Sequence, residues 1–284
     1  MPRIGRYTLH TIETGRFRLD GGAMFGIVPK PLWERRIPPD ARNRIPLALR
    51  CLLLEGDGRV ILVDDGAGDK HDAKFADIYA LDNEASDLHR SLAAAGFAPA
   101  DVTDVILTHL HFDHCGGSTR REGGRLVTTF PNARYHVQRA HWEWARRPNE
   151  REQASFLADN LEPLAASGQL NLLDAAGPFL PGVELLRVDG HTEAQQLVKI
   201  EGEEGTLVFA ADLLPTHAHL RGPWVMGYDV RPLVTLEEKH AFLERAAAEG
   251  WQLFFEHDPD VVVAGVERTA RGFETTNHRP RDDL

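Results

Sequence analysis

Cysteine is scarce in this chain. Cys51 and Cys115 are the only two, too few and too unpatterned for a disulfide framework or a thiolate metal site. No apolar run approaches the roughly 18 residues that a membrane span requires, and Met1–Asp20 holds no apolar stretch long enough for a signal peptide. A cytoplasmic location off the membrane is the expectation. Basic charge is in deficit, with 32 Lys and Arg against 43 Asp and Glu for a net charge of -11. That argues against a polyanionic partner such as nucleic acid, whose binding draws mostly on positive surface. Short basic pairs such as Arg35-Arg36 and Arg120-Arg121 read as solvated surface. Low-complexity tracts and repeats at solenoid periods are also missing.

What is present is an ordinary globular composition, 42% hydrophobic and 26% charged, in 284 residues. A chain of that length can bury roughly three quarters of its unfolded surface, so one domain over residues 1–284 is expected. Leu49–Leu54 and Val60–Val63 are apolar runs joined through Asp57-Gly58, a β-hairpin signal. Leu88, Leu92 and Ala95 share one helical face, and Gly96 follows as a stop. Val102–Leu107 reads as a short buried strand, followed by a strand near Tyr135–Val137, a helix from Arg139 and another from Glu152 to about Leu161, before Pro163. Strands are then expected at Val183–Val188, Gln196–Ile200 and Thr206–Ala210. A helix follows, with a capping box of Thr235 and Glu238 and a glycine stop at Gly250, and then a strand at Leu253–Phe255. This order suits a layered α/β protein.

The chemistry is concentrated in Thr108-His109-Leu110-His111-Phe112-Asp113-His114-Cys115-Gly116-Gly117, three imidazoles and a carboxylate directly after a buried strand. In an extended segment His109 and His111 project to one side, while Asp113 and His114 turn toward a second centre. For a lone histidine a solvated loop is the better reading. Four such groups in one turn gain nothing from packing, but all find a partner in a bound cation. Nitrogen and oxygen donors without thiolate suit Zn²⁺, and also Mn²⁺, Fe²⁺ or Co²⁺. Cys115 reads as a small buried residue beside the site.

The His-x-His-x-Asp-His motif after a strand resembles the metallo-β-lactamase superfamily, and the rest of that pattern follows in order. Gly190-His191-Thr192, Ala211-Asp212 and His257 each come after a strand, and Asp64 in Val63-Asp64-Asp65-Gly66 matches the aspartate that the family places just behind its ligands. The resemblance implies an α/β fold, a four-layer αβ/βα sandwich with a dinuclear site at one edge. It implies that His109, His111 and His191 hold one metal and Asp113, His114 and His257 the other, with Asp212 as the bridge. Three further segments, Asp20–Trp33, Ala211–His219 and Trp224–Asp229, are similar to quorum-quenching lactonases of the YtnP type.

The function so implied is a dinuclear metal-dependent hydrolase that opens N-acyl-homoserine lactones by attack of a bridging hydroxide, its cofactors two divalent ions, zinc first. The expected partner is a small ester or lactone, with a homodimer left open. Asp113 is the expected proton carrier to the leaving alkoxide. Better-known lactonases carry a tyrosine three residues after the bridging aspartate, where this chain has Pro215, so His217, His219 or Tyr228 is left to engage the carbonyl. Of these, His217 and Tyr228 join Asp113 as catalytic candidates. Met24, Phe25, Trp224 and Met226 are expected to line the cleft for an acyl chain, with core packing as the competing reading; for Trp33 core packing is the better reading. A phosphotriesterase like methyl-parathion hydrolase and a thioesterase like glyoxalase II are the alternatives, and a non-catalytic metal-binding protein is the reading from another class.

Overall fold

A computed structural model describes residues 2–280 of the chain. Its first half carries strands β1 (Arg3–Ile4), β2 (Tyr7–Asp20), β3 (Arg44–Gly56), β4 (Arg59–Val63), β5 (Asp104–Ile106), β6 (Thr119–Glu122), β7 (Arg125–Thr128), β8 (Arg134–Gln138) and β9 (Leu170–Leu173). Its second half carries β10 (Gly177–Leu180), β11 (Val183–Val188), β12 (Gln195–Gly202), β13 (Gly205–Phe209), β14 (Gln252–Phe254), β15 (Val261–Thr269) and β16 (Gly272–Pro280). One sheet runs β1-β2-β3-β4-β5-β8-β9, the other runs β10 to β16 in order, and β6-β7 form a separate ribbon. The expected hairpin is there. Gly56 pairs with Arg59, and Asp57 and Gly58 both take positive φ, as a two-residue type I′ turn demands.

Apolar residues on both faces of the first sheet explain the near-continuous hydrophobic runs. Leu52, Leu54, Ile61, Val63 and Ile106 point into a core shared with Leu197, Val198, Phe209 and Phe254 of the other sheet. Their neighbours Cys51, Leu53, Leu62, Val105 and Leu107 point the other way, onto Leu88, Leu92, Trp142, Leu161 and Leu164 of the helices Leu88–Ala94, Arg139–Ala145 and Ala158–Ser167. The helix Pro232–Glu249 packs along β15 with Phe242, Leu243 and Ala246. Helix, sheet, sheet, helix is the four-layer sandwich that the sequence led us to expect.

Two helices differ from expectation. The helix expected from Glu152 begins at Ala158 and runs through Pro163. Glu152 is instead a buried acceptor in a turn, bonded by Trp144 Nε1 at 2.7 Å, Asn149 Nδ2 at 2.8 Å and Thr192 Oγ1 at 2.6 Å. Pro163 cannot donate to the Asp159 carbonyl, and Thr119 Oγ1 does so at 2.9 Å. The last helix begins at Pro232, with Thr235 inside its first turns. There is no capping box, because the Glu238 carboxylate is spent elsewhere: it accepts from the backbone N–H of Asp189 at 2.7 Å and of Gly190 at 3.0 Å. The long strand β2, the C-terminal hairpin β15–β16 and the short helices Gly21–Phe25, Lys30–Trp33 and Ala73–Tyr79 were not expected. Among the described residues no helix is long and apolar enough to cross a membrane.

Candidate metal centre

β4, β5 and β8 are parallel in one sheet and β13 and β14 in the other. Carboxyl ends of parallel strands are where open α/β sheets build sites, and here four such ends meet at the seam of the sandwich. Asp64 follows β4, the His109–His114 motif follows β5, Asp212 follows β13 and His257 follows β14. Asp64 and Ala211 hold φ of 55° and 43°, a left-handed backbone that costs free energy in residues with a Cβ and is commonest at functional sites. Two glycines permit the close packing: a methyl on Gly116 would strike the Ala67 carbonyl, and one on Gly190 would strike Thr235.

The expected ligands all converge. His111 Nδ1 lies 3.0 Å from His109 Nε2 and 3.2 Å from His191 Nε2. His257 Nε2 lies 3.1 Å from His114 Nε2 and 3.7 Å from Asp113 Oδ2. Asp212 stands between the two groups, with Oδ2 3.2 Å from His191 Nε2 and 3.6 Å from His114 Nε2, and Oδ1 3.3 Å from His257 Nε2.

The outer ring atoms decide what the inner ones offer. His191 Nδ1 meets Asp229 Oδ1 at 2.8 Å, His257 Nδ1 donates to the Ala48 carbonyl at 2.9 Å, and His114 Nδ1 stands 3.1 Å from Asp64 Oδ2 and 3.0 Å from Glu256 Oε2. His111 Nε2 faces Glu152 Oε1 at 3.4 Å. With those nitrogens carrying the protons, the inner nitrogens present lone pairs to one another, an arrangement that needs a shared cation. Two nitrogens each about 2.0–2.1 Å from one tetrahedral ion stand roughly 3.3 Å apart, close to the spacings found here. The donors thus fit a pair of divalent ions: His109, His111 and His191 could hold one, Asp113, His114 and His257 the other, and Asp212 reaches both sets.

Electrostatics agree with that donor set. Burial pushes His109 well below the ordinary histidine range, so its lone pair is free. Burial opposes ionisation of Asp212 too, but His114, His191 and His257, each raised above the ordinary histidine range by nearby carboxylates despite burial, hold its carboxyl well below its usual value, so without an ion protons occupy this centre and a bound cation would displace them. His141 is another matter. Its Nε2 accepts from Leu110 N at 2.8 Å, its Nδ1 meets the Glu193 carbonyl at 2.6 Å, and burial takes it down to about 3, so it braces the motif as a neutral ring.

Above the donors is a cleft of about 230 Å³, lined by Leu19, Met24, Tyr79, Phe112, Met226 and Tyr228 together with His111, Asp113, Asp212 and His257. Of the residues expected at the cleft, Met24, Met226 and Tyr228 border it. Phe25 and Trp224 do not: both are buried in the layer behind, where Phe25 stacks on His219 and Trp33 and meets Trp224 edge-on. His217 is also outside the cleft, its Nδ1 held 2.5 Å from Asp258 Oδ2 beside a separate depression lined by Arg36 and His278. His219 is a buried ring bonded to the Met24 carbonyl at 2.9 Å. Cys115 is buried and thiol-like, with Sγ on the Leu110 carbonyl at 3.3 Å. Sequence reasoning missed Glu152, Glu256, Asp229, Tyr79 and the fully buried Arg50, which binds Glu13 Oε1 at 2.7 Å and the carbonyls of Phe255 and Asp258 that flank Glu256-His257. Only Asp229 and Glu256 had a signal, since Asp229 closes the segment Trp224–Asp229 already singled out and Glu256 adjoins His257.

Comparison with known proteins agrees with this geometry. The family model described as the metallo-beta-lactamase superfamily matches residues 45–266. An N-acyl homoserine lactonase of Bacillus cereus is 30% identical over 177 residues, a match spanning 58% of this chain and 63% of that protein. The crystal structure of a probable metal-dependent hydrolase from Staphylococcus aureus superposes with a TM-score of 0.90 at 28% identity, covering all of both chains. AidC, a dizinc quorum-quenching lactonase solved with a product, shares the fold at a TM-score of 0.82 and 21% identity, covering 98% of this chain and 96% of that one. Fold, motif order and family match converge, and the chain belongs to the metallo-beta-lactamase superfamily.

Proposed function

We propose that this chain is a metal-dependent hydrolase that opens the ring of N-acyl-homoserine lactones. The observation that carries the reading is the cleft itself: facing donor atoms at its floor, and apolar walls of Leu19, Met24, Phe112 and Met226 above them. His109, His111 and His191 would hold one divalent ion and Asp113, His114 and His257 the second, with Asp212 within reach of both sets and zinc the metal that suits such donors. When bound, two such ions make a nucleophile of water at neutral pH and polarise a carbonyl.

The side chains supply binding, orientation and proton handling. Asp113 borders the cleft and takes the proton that the attacking water gives up, passing it to the ring oxygen as the acyl C–O bond breaks. Tyr228 borders it as well and takes the place of the tyrosine absent at Pro215, donating its phenolic O–H to the substrate carbonyl. Tyr79 completes the polar rim; burial and the charge of Asp113 raise its phenol, which keeps it a donor. The methionines hold the first methylenes of the acyl chain. Similarity to lactonases of known name supports this substrate class.

The test is metal analysis of the purified protein, paired with turnover of homoserine lactones, thioesters and an aryl phosphotriester before and after chelation. Lactone turnover that exceeds the other two, is lost on chelation and returns with zinc is the expected result. A preparation that turns over thioester or phosphotriester but no lactone overturns the substrate assignment.

A further inference from the structure

The cleft wall that carries Met226 and Tyr228 belongs to a segment with little regular structure. Between β13 and the helix Pro232–Glu249, residues 211–231 hold only two short 3₁₀ turns, Ala211–Leu213 and His217–Leu220. Such a segment keeps one shape only if its carbonyls find donors. Three of them find the same one. Lys239 Nζ donates to the carbonyls of His219 at 3.2 Å, Arg221 at 3.0 Å and Trp224 at 2.9 Å. An ammonium has three donors, so all are used. The lysine is 1% exposed and among the described residues no carboxylate contacts its Nζ, so its free energy of burial is offset by these carbonyls and by the more distant charge of Asp229.

The adjacent residue serves a different loop. Glu238 binds the N–H groups of Asp189 and Gly190, immediately before His191. Two successive side chains of one helix thus hold two loops, one leading to a metal-site histidine and the other to the cleft wall. Trp224, the last carbonyl that Lys239 binds, is two residues from Met226 and four from Tyr228. From there the wall is tied by Gly227 N on the Ala23 carbonyl at 2.7 Å and by Arg151 on the carbonyls of Gly227 and Asp229, and just past Tyr228 the chain is held to His191 through Asp229 Oδ1 at 2.8 Å and Val230 N at 3.1 Å.

We infer that Lys239 is a positioning residue for substrate: its ammonium sets the course of residues 219–224 and so the placement of Met226 and Tyr228, through hydrogen bonds that include none of the metal donors. The inference rests on the reading of the cleft as the lactone site. It also implies a dependence on pH. Burial pushes the lysine down to about 8, against the opposing charge of Asp229. Within residues 219–224 the other titratable groups are Arg221 and His219, whose ring burial takes down to about 4, so that it is neutral throughout this range. As pH rises through about 8 the ammonium loses a proton and one of its three donors, and the wall loosens.

Lys239→Met removes every donor, and Lys239→Gln keeps two. In metal-loaded enzyme, Lys239→Met is expected to raise KM for a long-chain lactone about tenfold, the equivalent of one hydrogen bond from a charged donor. Metal content should be unchanged, and Lys239→Gln should lie between. The parent's KM should climb above about pH 8, and that climb should be missing from both variants. Independently of activity, amide hydrogen exchange should quicken across residues 219–229 and not across 107–115. Parental KM and exchange in both variants, loss of metal in step with activity, or faster exchange spread equally over both segments would each overturn the inference. A parent with no lactone turnover refutes the substrate assignment instead, and the exchange comparison then decides alone whether the clamp is real.

Discussion

Met24 and Phe25 are neighbours in one short helix, yet only Met24 reaches the cleft. A helix turns each successive residue by about 100°, so adjacent side chains face different layers. Phe25 is fully buried among Trp33, His219 and Trp224. Phe25→Ala is therefore expected to cost roughly 3–5 kcal/mol of stability, read by urea unfolding, and to leave the acyl-length profile of kcat/KM in shape. Met24→Ala should differ in the activity profile, lowering kcat/KM for long chains by roughly fourfold for each methylene that no longer meets a wall, on top of a stability cost of roughly 2–5 kcal/mol, since Met24 is buried as well. Steep chain-length dependence in Met24→Ala, or a flattened one in Phe25→Ala, would reverse the two assignments. The same contrast explains which residues were legible beforehand. Ligands are legible because a motif gathers donors that have no other use; His109, His111, Asp113 and His114 are of that kind. A lining residue differs from a core residue only in which side of a helix it occupies, and a short helix of five residues with two glycines gives no periodicity to read.

At the scale of elements, the parallel strands that deliver the site are stapled at their opposite end by one carboxylate. Asp104 opens β5, and its Oδ2 accepts from Arg59 of β4 at 2.8 Å and from Thr103 at 2.8 Å, while Oδ1 meets His136 of β8 at 2.8 Å. Burial opposes its ionisation, but these bonds prevail and hold the carboxyl down to about 2. A folded-state value below the unfolded one gives stability that is present above about pH 4 and is lost as pH falls toward 2. Asp104→Asn should lower unfolding free energy by roughly 2 kcal/mol at pH 7 and by almost nothing near pH 2, compared in metal-stripped protein at each pH. An equal deficit at both pH values would show that packing, and not charge, holds this end together. Elements were legible where an apolar run met a turn residue, as in β3, β4, β5 and β11. They were not where long-range partners set them. β2 has polar residues on its core-facing and outward sides alike, His10, Glu13 and Arg16 among them, and is a strand because β3 pairs with it along nearly its whole length. The turn at Glu152 passed for helix because the groups that capture its carboxylate, Trp144 and Thr192, lie eight and forty residues away.

For the whole molecule, the donors are divided between the two sheets: His109 through His114 follow β5, whereas His191, Asp212 and His257 belong to the second half. Chelation would leave buried donors facing one another without a partner, and a ligand held a thousandfold below its free concentration contributes about 4 kcal/mol. Removing metal should lower the melting temperature by roughly 10 °C, with recovery on adding zinc. A melting temperature indifferent to complete removal would mean that the donors do not join the halves at all. The architecture was legible as a whole because motif order fixed it; how the halves are fastened was not, since no local pattern announces that Arg50 of one sheet reaches carbonyls on both sides of His257. A centre that straddles a seam behaves as a rivet. Parting the plates would pull His191, Asp212 and His257 away from the His109–His114 turn, so the loaded protein should resist separation of its halves more than the stripped one, even though the cleft gives a chelator its own route to the donors.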